Sequence, residues 1–376
     1  MRIAIDARMI KPDSMHGIAR YVFHLIAGLI EHGQAHEFFL FISPGSPLSS
    51  REYPRHINLI EIDSEWISLK EQWEIPRALR KIRADLFHTP SFVAPLVVPC
   101  RMVMTIHDLN HLVLPQFYTP LHQFYYQIIV RNSIRKSSSL LTVSNFSKKE
   151  IIRKLGLSSK KVAVTYNGVS EQYQRVDDKV VLNYVREIYG LAERFILCVS
   201  NNKPHKNVYQ LVKAYCHANV EIPLVLACPV DVELIRLADR HGKKHQLYFS
   251  KFIEEAHLPA VYSMTELFVY PSTYEGFGLP PLEALACGVP VVVASSSSLP
   301  EVVGNNAIFI DPYNHNSIAN ALVVGIRNKE LRLNLIKNGL VHARQFSWDK
   351  MTKKTIETYE SCLPQEQLHS YKVNYT

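Results

Sequence analysis

The stretch Tyr270-Pro-Ser-Thr-Tyr-Glu-Gly-Phe-Gly-Leu-Pro-Pro-Leu-Glu-Ala-Leu-Ala-Cys-Gly288 concentrates more chemistry than any other part of the chain. The apolar residues that end at Tyr270 read as a strand. Pro280 and Pro281 mark the first turn of a helix, where no N–H is needed. The loop between them holds Gly276 and Gly278, which let backbone amides approach a ligand, and the helix amino end adds partial positive charge. Such a loop suits a diphosphate. Glu275 precedes the loop and Glu283 lies inside the helix, with seven residues between them. Two carboxylates so placed can flank one ligand and accept hydrogen bonds from its hydroxyls. Taken singly, Glu275 is an acid near a helix start and Glu283 a solvated helix residue; the nineteen-residue string as a whole favours the ligand reading.

Three smaller groups carry weaker signals. Cys198-Val-Ser-Asn-Asn-Lys-Pro-His-Lys-Asn207 reads as a strand followed by a polar loop with Asn201, His205 and Lys206; in isolation Lys206 is a solvated lysine ahead of a helix. His107 and Asp108 end another strand, and a histidine there is more often packed or capping than reactive. Gly17 follows the first strand, where a bare glycine is usually a turn.

Positioning these groups requires a frame of strands and helices. Continuous apolar runs predict strands at Arg2–Asp6, Phe38–Ile42, Ile57–Ile62, Asp85–His88, Met102–Ile106, Leu140–Ser144 and Val162–Tyr166. Helical periods at Ile18–Ile30 and Phe117–Lys136 fall between them. After the Asn167-Gly168 turn and a polar stretch from Glu171 to Lys179, which reads as a hinge, the alternation restarts. Strands are expected at Phe195–Val199, Leu224–Cys228, Leu247–Phe249, Glu266–Tyr270, Val289–Ala294 and Ala307–Ile310. The alternation implies an α/β protein with two doubly wound Rossmann-like domains and a ligand cleft between them. Residues 1–172 form the first domain in this reading, 173–346 the second, and 347–376 a helix that packs back on the first domain, with a tail. The Ser295–Ser298 run sits just past a strand end, where a ligand loop would lie.

The Glu275…Glu283 string, with Ala286-Cys-Gly-Val-Pro-Val-Val-Val-Ala294 and Ser298-Leu-Pro-Glu-Val302, resembles the family-4 retaining glycosyltransferases. The resemblance extends to Gly17-Ile-Ala-Arg-Tyr21, Thr105-Ile-His-Asp-Leu109, Val143-Ser-Asn-Phe-Ser147 and Val164-Thr-Tyr-Asn-Gly-Val169, and so covers most of the chain. It implies the GT-B fold and transfer of a hexose from a nucleotide diphosphate sugar to a saccharide or lipid-linked acceptor. Mannose is the first choice, as GDP-mannose, with a UDP-sugar next. The resemblance makes Glu275 the contact to the transferred sugar's hydroxyls and Glu283 the contact to the ribose. It assigns the diphosphate to the amides of Gly276, Phe277, Gly278 and Leu279, and pairs Lys206 with the phosphates. His107 matches the active-site histidine, and Gly17 would bring backbone against donor or acceptor. Two positions depart from the common pattern: Ser200-Asn201 replaces a Gly-Arg pair, and His205 stands where many relatives carry arginine. Asn201 and His205 can still donate hydrogen bonds at the phosphate site. An epimerase or phosphorylase of the same fold, or a non-catalytic sugar-nucleotide-binding protein, are the alternatives.

Composition bounds the rest. The 376 residues suffice for two domains, and 47% hydrophobic with 20% charged residues argues against disorder. Of 42 Lys+Arg and 34 Asp+Glu, residues 1–172 hold 21 and 14, so nearly all of the +8 net charge belongs to the first half. With Arg131, Arg135 and Lys136 closing the aromatic stretch Pro120–Lys136, that excess points to an anionic membrane surface, or else to an ordinary core-facing helix. No nucleic-acid module is present, and no nucleic acid is expected as partner. The six cysteines show no C-x-x-C pairing and read as reduced thiols. The opening MRIAIDARMI is a poor secretory leader, because Asp6 and Arg8 interrupt it; a cytoplasmic location is expected, peripheral on the membrane's inner face. There is no D-x-D triplet and no G-x-G-x-x-G, so no metal is expected and a dehydrogenase has no fingerprint.

Overall fold

Runs such as Ile3–Ile5 and Val291–Val293 have no exposed surface, which requires both faces of their sheets to be covered. In the computed structural model, which describes residues 1–11, 17–66, 68–113, 130–250 and 252–363, these runs are strands of two parallel sheets. The first contains β1 (Arg2–Asp6), β2 (Glu37–Ile42), β3 (Ile57–Glu61), β4 (Leu86–Thr89), β5 (Arg101–Ile106), β6 (Ser139–Thr142) and β7 (Val162–Val164). Its order is β3-β2-β1-β4-β5-β6-β7. The second contains β8 (Ile196–Val199), β9 (Leu224–Ala227), β10 (Leu247–Ser250), β11 (Leu267–Tyr270), β12 (Val291–Ala294) and β13 (Ile308–Ile310), in the order β10-β9-β8-β11-β12-β13. Both are doubly wound. In each, the order reverses beside the first strand, between β1 and β4 and between β8 and β11. Loops at the carboxyl ends of these pairs are where such sheets bind ligands.

The chain divides into two compact units, Val169–Ser347 and Met1–Gly168 joined by the segment that starts at Trp348. Within the first-sheet unit, the helix Gly17–His32 buries Ala19, Tyr21, Val22, Leu25, Ile26 and Leu29, a 3–4 spacing that makes one apolar face. The helix Trp348–Ser361 packs along it. Gly28 lies against Thr352 so closely that a Cβ there would overlap the threonine side chain, and the His24 and Trp348 rings stack at 4.3 Å. Of the expected helix Phe117–Lys136, residues 117–129 lie outside the described residues. Arg131–Lys136 is helical, with Ser133 and Ile134 buried and Arg131, Arg135 and Lys136 exposed. No helix among the described residues is long and apolar enough to cross a membrane.

A buried polar chain ties the last helix to the first sheet. The Tyr359 hydroxyl lies 2.6 Å from His88 Nδ1, His88 Nε2 lies 2.8 Å from Thr105 Oγ1, and Tyr21 OH follows at 3.3 Å. Burial, with His107 adding to it, pushes the His88 imidazole down to about 3. The folded chain therefore keeps it neutral where an unfolded chain takes up a proton below about pH 6.5. Stability from this residue is full above that pH and is lost as pH falls towards the folded value. We expect a loss of about 2 kcal/mol between about pH 7 and 5. Urea unfolding at the two pH values should show a shallower dependence in His88→Asn than in wild type. Equal dependence would remove the attribution.

Candidate active site

The strongest cluster forms at the β8/β11 reversal point. Lys206 lies in the loop after β8, and Glu275 in the loop after β11. Side-chain and backbone bonds stitch these loops together. Asn207, in a left-handed conformation at φ 61°, donates from Nδ2 to Pro271 O at 3.1 Å and to Pro312 O at 2.7 Å. The His205 carbonyl accepts from Thr273 N at 2.8 Å and Ser272 Oγ at 3.0 Å. With the loops held, Lys206 Nζ donates to Glu275 Oε1 at 2.6 Å and to Tyr270 OH at 2.8 Å. Tyr270 OH in turn donates to Glu275 Oε1 at 2.9 Å.

This is a buried ion pair in direct contact, with one hydroxyl bonded to both members; each charged side chain is 14% exposed. Burial opposes ionisation of both groups, but the attraction wins. Lys206, beside Tyr270 and Glu275, is held well above the ordinary lysine range, and Lys206 holds Glu275 below the ordinary carboxylate range. Both are charged at neutral pH.

The glycine loop is shaped from the far side by the serine run. Ser297 Oγ accepts from Glu275 N at 3.0 Å, and Ser298 Oγ donates to Glu275 O at 2.9 Å and Phe277 O at 2.7 Å. The Phe277 ring is buried edge-on against Phe346, so the residue meets the loop through its backbone. Gly278 has φ +113°, and a Cβ there would come within 2.7 Å of Leu299 Cδ2, so no other residue fits without displacement. It caps the helix Leu279–Ala286, whose first turn holds both prolines. Of its first three residues only Leu279 carries an N–H, since Pro280 and Pro281 have none. Glu283, one turn in, is 3% exposed, and Tyr262 OH donates to its Oε2 at 3.2 Å. It is not a solvated helix residue.

The structure changes the reading of the departures in the first loop. His205 is buried, and burial, against the pull of Glu275, pushes its imidazole down to about 4. At neutral pH it adds no charge; what it adds is the carbonyl that holds Ser272 and Thr273. Asn201 is exposed, and its Oδ1 accepts from Lys203 N at 3.1 Å, which shapes its own turn. Sequence reasoning missed two features of this unit. One is Tyr270, read only as a strand end. The other is an apolar cavity of ≈ 500 Å³ at the carboxyl ends of β8, β9 and β10, lined by Val199, Ser200, Cys228, Val230, Phe249 and Phe252 among others. Phe252 is 89% exposed although it lines a cavity, an unusual place for a large apolar ring. Only that exposure marks the site, and a sequence does not show it.

In the first-sheet unit, His107 follows β5 directly. Its Nε2 lies 3.1 Å from Pro90 O, just past β4; a carbonyl can only accept, so this nitrogen carries the proton. The ring packs edge-on against Tyr21 at 4.8 Å. Asp108 Oδ1 accepts from Asn110 N at 2.9 Å and caps the turn that follows. Gly17 opens its helix, and among the described residues no atom lies within 4 Å of where a Cβ would stand.

Comparison with known proteins decides the family. The family model Glycosyltransferase Family 4 matches residues 15–173, and Glycosyl transferases group 1 matches residues 186–341. O-antigen chain mannosyltransferase B of Escherichia coli is 31% identical over 290 residues, which cover 75% of this chain and 76% of that protein. The chain belongs to the GT-B glycosyltransferases. As a glycosyltransferase it shares the GT-B fold with solved structures of low identity. Sucrose-phosphate synthase from Thermosynechococcus elongatus superposes with a TM-score of 0.77 at 19% identity, covering 96% of this chain and 98% of the other. Anabaena HepE, in complex with UDP and glucose, gives 0.77 at 20% identity, covering 96% and 100%.

Proposed function

We propose that this glycosyltransferase moves a hexose, as mannose from GDP-mannose, to a saccharide or lipid-linked acceptor in the synthesis of a cell-surface polysaccharide, with retention at the anomeric carbon. The observation that carries this reading is the buried Lys206–Glu275 pair at the β8/β11 reversal, beside a glycine loop that opens a helix. A diphosphate needs positive potential from fixed groups, and a sugar needs acceptors for its hydroxyls. The pair offers both within one hydrogen-bond length. The E. coli relative's name supports the mannosyl group and the polysaccharide. The cavity at β8–β10 takes the nucleobase, because it is apolar and its wall continues into the Lys206 loop.

In this mechanism the bond between the sugar's C1 and the diphosphate oxygen breaks as the acceptor oxygen bonds to C1 on the same face. The acceptor's proton passes to the leaving phosphate oxygen. Lys206 and the amides of Gly276–Leu279 stabilise the charge that builds on the diphosphate, and no metal is required. His107 and Gly17 serve the sugar and acceptor side. Incubating the chain with GDP-mannose or UDP-glucose and mannose-terminated oligosaccharides tests the reading. It requires acceptor-dependent release of nucleoside diphosphate, and turnover of the donor without acceptor would favour an epimerase instead.

The two carboxylates separate by kinetics. Glu283 contacts the ribose in ground and transition states alike, so Glu283→Gln should raise the donor KM about tenfold with little change in kcat. Glu275 orients the sugar during transfer, so Glu275→Gln should lower kcat by about tenfold or more. Equal, small effects on every constant would count against both roles.

The basic excess of residues 1–172, with Arg131, Arg135 and Lys136 exposed, supports a peripheral position on an anionic membrane. Binding to anionic liposomes should occur at low salt and weaken sharply by about 0.5 M NaCl, as the screening length shortens. Binding indifferent to salt, or none, would remove this partner.

A further inference from the structure

The proposed function uses Lys206 and Glu275 but leaves Tyr270 without a task. Three observations give it one. Its hydroxyl bridges the pair, accepting from Lys206 Nζ at 2.8 Å and donating to Glu275 Oε1 at 2.9 Å. It stands on the last residue of β11, paired in register with Val293 of β12, and is 2% exposed. Its ring lies stacked 6.1 Å from that of Phe268 two residues earlier on the strand. Of its two partners, Lys206 ends the short 3-10 turn Pro204–Lys206 and Glu275 lies in the loop after β11.

A fixed hydroxyl bonded to both members of an ion pair changes how those charges act. An ammonium has three N–H donors. Two of those on Lys206 are taken by Glu275 and Tyr270, which leaves the third for a ligand oxygen. A carboxylate 2.6 Å from the ammonium draws down its positive potential. A hydroxyl that donates to the same carboxylate oxygen carries part of that negative charge and returns potential to the lysine.

We propose that Tyr270 is a positioning residue that takes up part of the Glu275 charge within the Lys206–Glu275 pair, so that Lys206 meets the donor's diphosphate as a strong cation while Glu275 stays charged for the sugar. The inference rests on the reading of this site as a nucleotide-sugar site. Without the hydroxyl, more of the Glu275 charge bears on Lys206, and both the leaving group and a free nucleoside diphosphate meet a weaker cation. The effect exists only while residue 275 is an anion.

The test is a double-mutant cycle read by isothermal titration calorimetry. The probes are GDP and UDP, with guanosine and uridine as their phosphate-free partners. Tyr270→Phe should weaken the tighter-binding diphosphate about tenfold, the scale of one hydrogen bond to a charged group, and leave its nucleoside unchanged. Glu275→Gln should bind the diphosphate as well as wild type or better. In that background, adding Tyr270→Phe should cost less than about threefold, because there is no carboxylate charge left to share. Unchanged diphosphate affinity in Tyr270→Phe, equal loss for nucleoside and diphosphate, or a full tenfold loss in both backgrounds would each overturn this inference and leave the functional reading standing. Wild type that binds neither GDP nor UDP would overturn the functional reading, and this inference with it.

Discussion

Lys206→Met is expected to lower the transfer rate by about 10²–10³, the cost of removing one preorganised group from developing negative charge. The expectation follows from the side chains around the proposed diphosphate site. His205 is neutral at pH 7, and Asn201 is exposed and spends its side-chain oxygen on its own turn. Lys206 is therefore the charged side chain that this loop brings to the reversal point. The substitution also orphans a buried carboxylate. Once its ammonium is gone, burial of Glu275 is opposed by the Ser272 and Tyr270 hydroxyls without a cation, which moves it towards the protonated form. Two controls separate these effects. Circular dichroism should show the fold intact, and Lys206→Met/Glu275→Gln, which removes the orphaned charge, should be slower than Glu275→Gln alone by about the same factor of 10²–10³. Near-normal turnover in the single variant, or a double variant as fast as Glu275→Gln alone, would refute the role. So would activity abolished by EDTA and restored by magnesium.

The second large effect concerns stability. Arg8 is 1% exposed, and its guanidinium binds Asp6 through Nε to Oδ1 at 2.9 Å and through one terminal nitrogen to Oδ2 at 2.8 Å. That same terminal nitrogen reaches Glu71 Oε2 at 3.0 Å, and the other reaches Ser64 O at 2.9 Å. The triad joins the end of β1 to the first turn of the helix Glu71–Lys81. Arg8→Ala leaves two buried carboxylates facing each other without a cation, and breaking such an arrangement costs about 3–5 kcal/mol. Urea unfolding should show that loss in the transition of the first-sheet unit alone. Replacing all three by neutral residues, as Asp6→Asn/Arg8→Met/Glu71→Gln, should recover most of it. A loss below about 1 kcal/mol in Arg8→Ala would show that water reaches the site.

These two cases mark what the sequence can and cannot reveal. The strands were legible because a run such as Val291–Val293 has one way to be buried, and their edges failed where a local bond competes. Leu140–Ser144 stops as a strand at Thr142, because Ser144 turns to cap the next helix, its Oγ accepting from Ser147 N at 3.0 Å. The run from Val289 becomes strand only at Val291; Pro290, with no N–H, contributes a carbonyl to Phe268 N instead. At the site, residue types announced a glycine loop that opens a helix, with one carboxylate before it and one inside the helix. What they could not announce was partnership. Tyr270 read as a strand terminus, Ser297 and Ser298 as a ligand loop rather than the clamp of the glycine loop, and Asp6 and Arg8 as interruptions of an apolar run. Each is defined by a side chain distant in sequence, which only the folded chain brings near.

The most direct measurement of the central claim follows the reaction of the purified chain with GDP-mannose and a mannose-terminated oligosaccharide in EDTA by proton NMR. The account predicts GDP release matched one for one by a new mannosyl anomeric signal of the same α configuration as the donor. A β-linked product, or no GDP release from any acceptor mixture while the folded chain binds GDP, would contradict it.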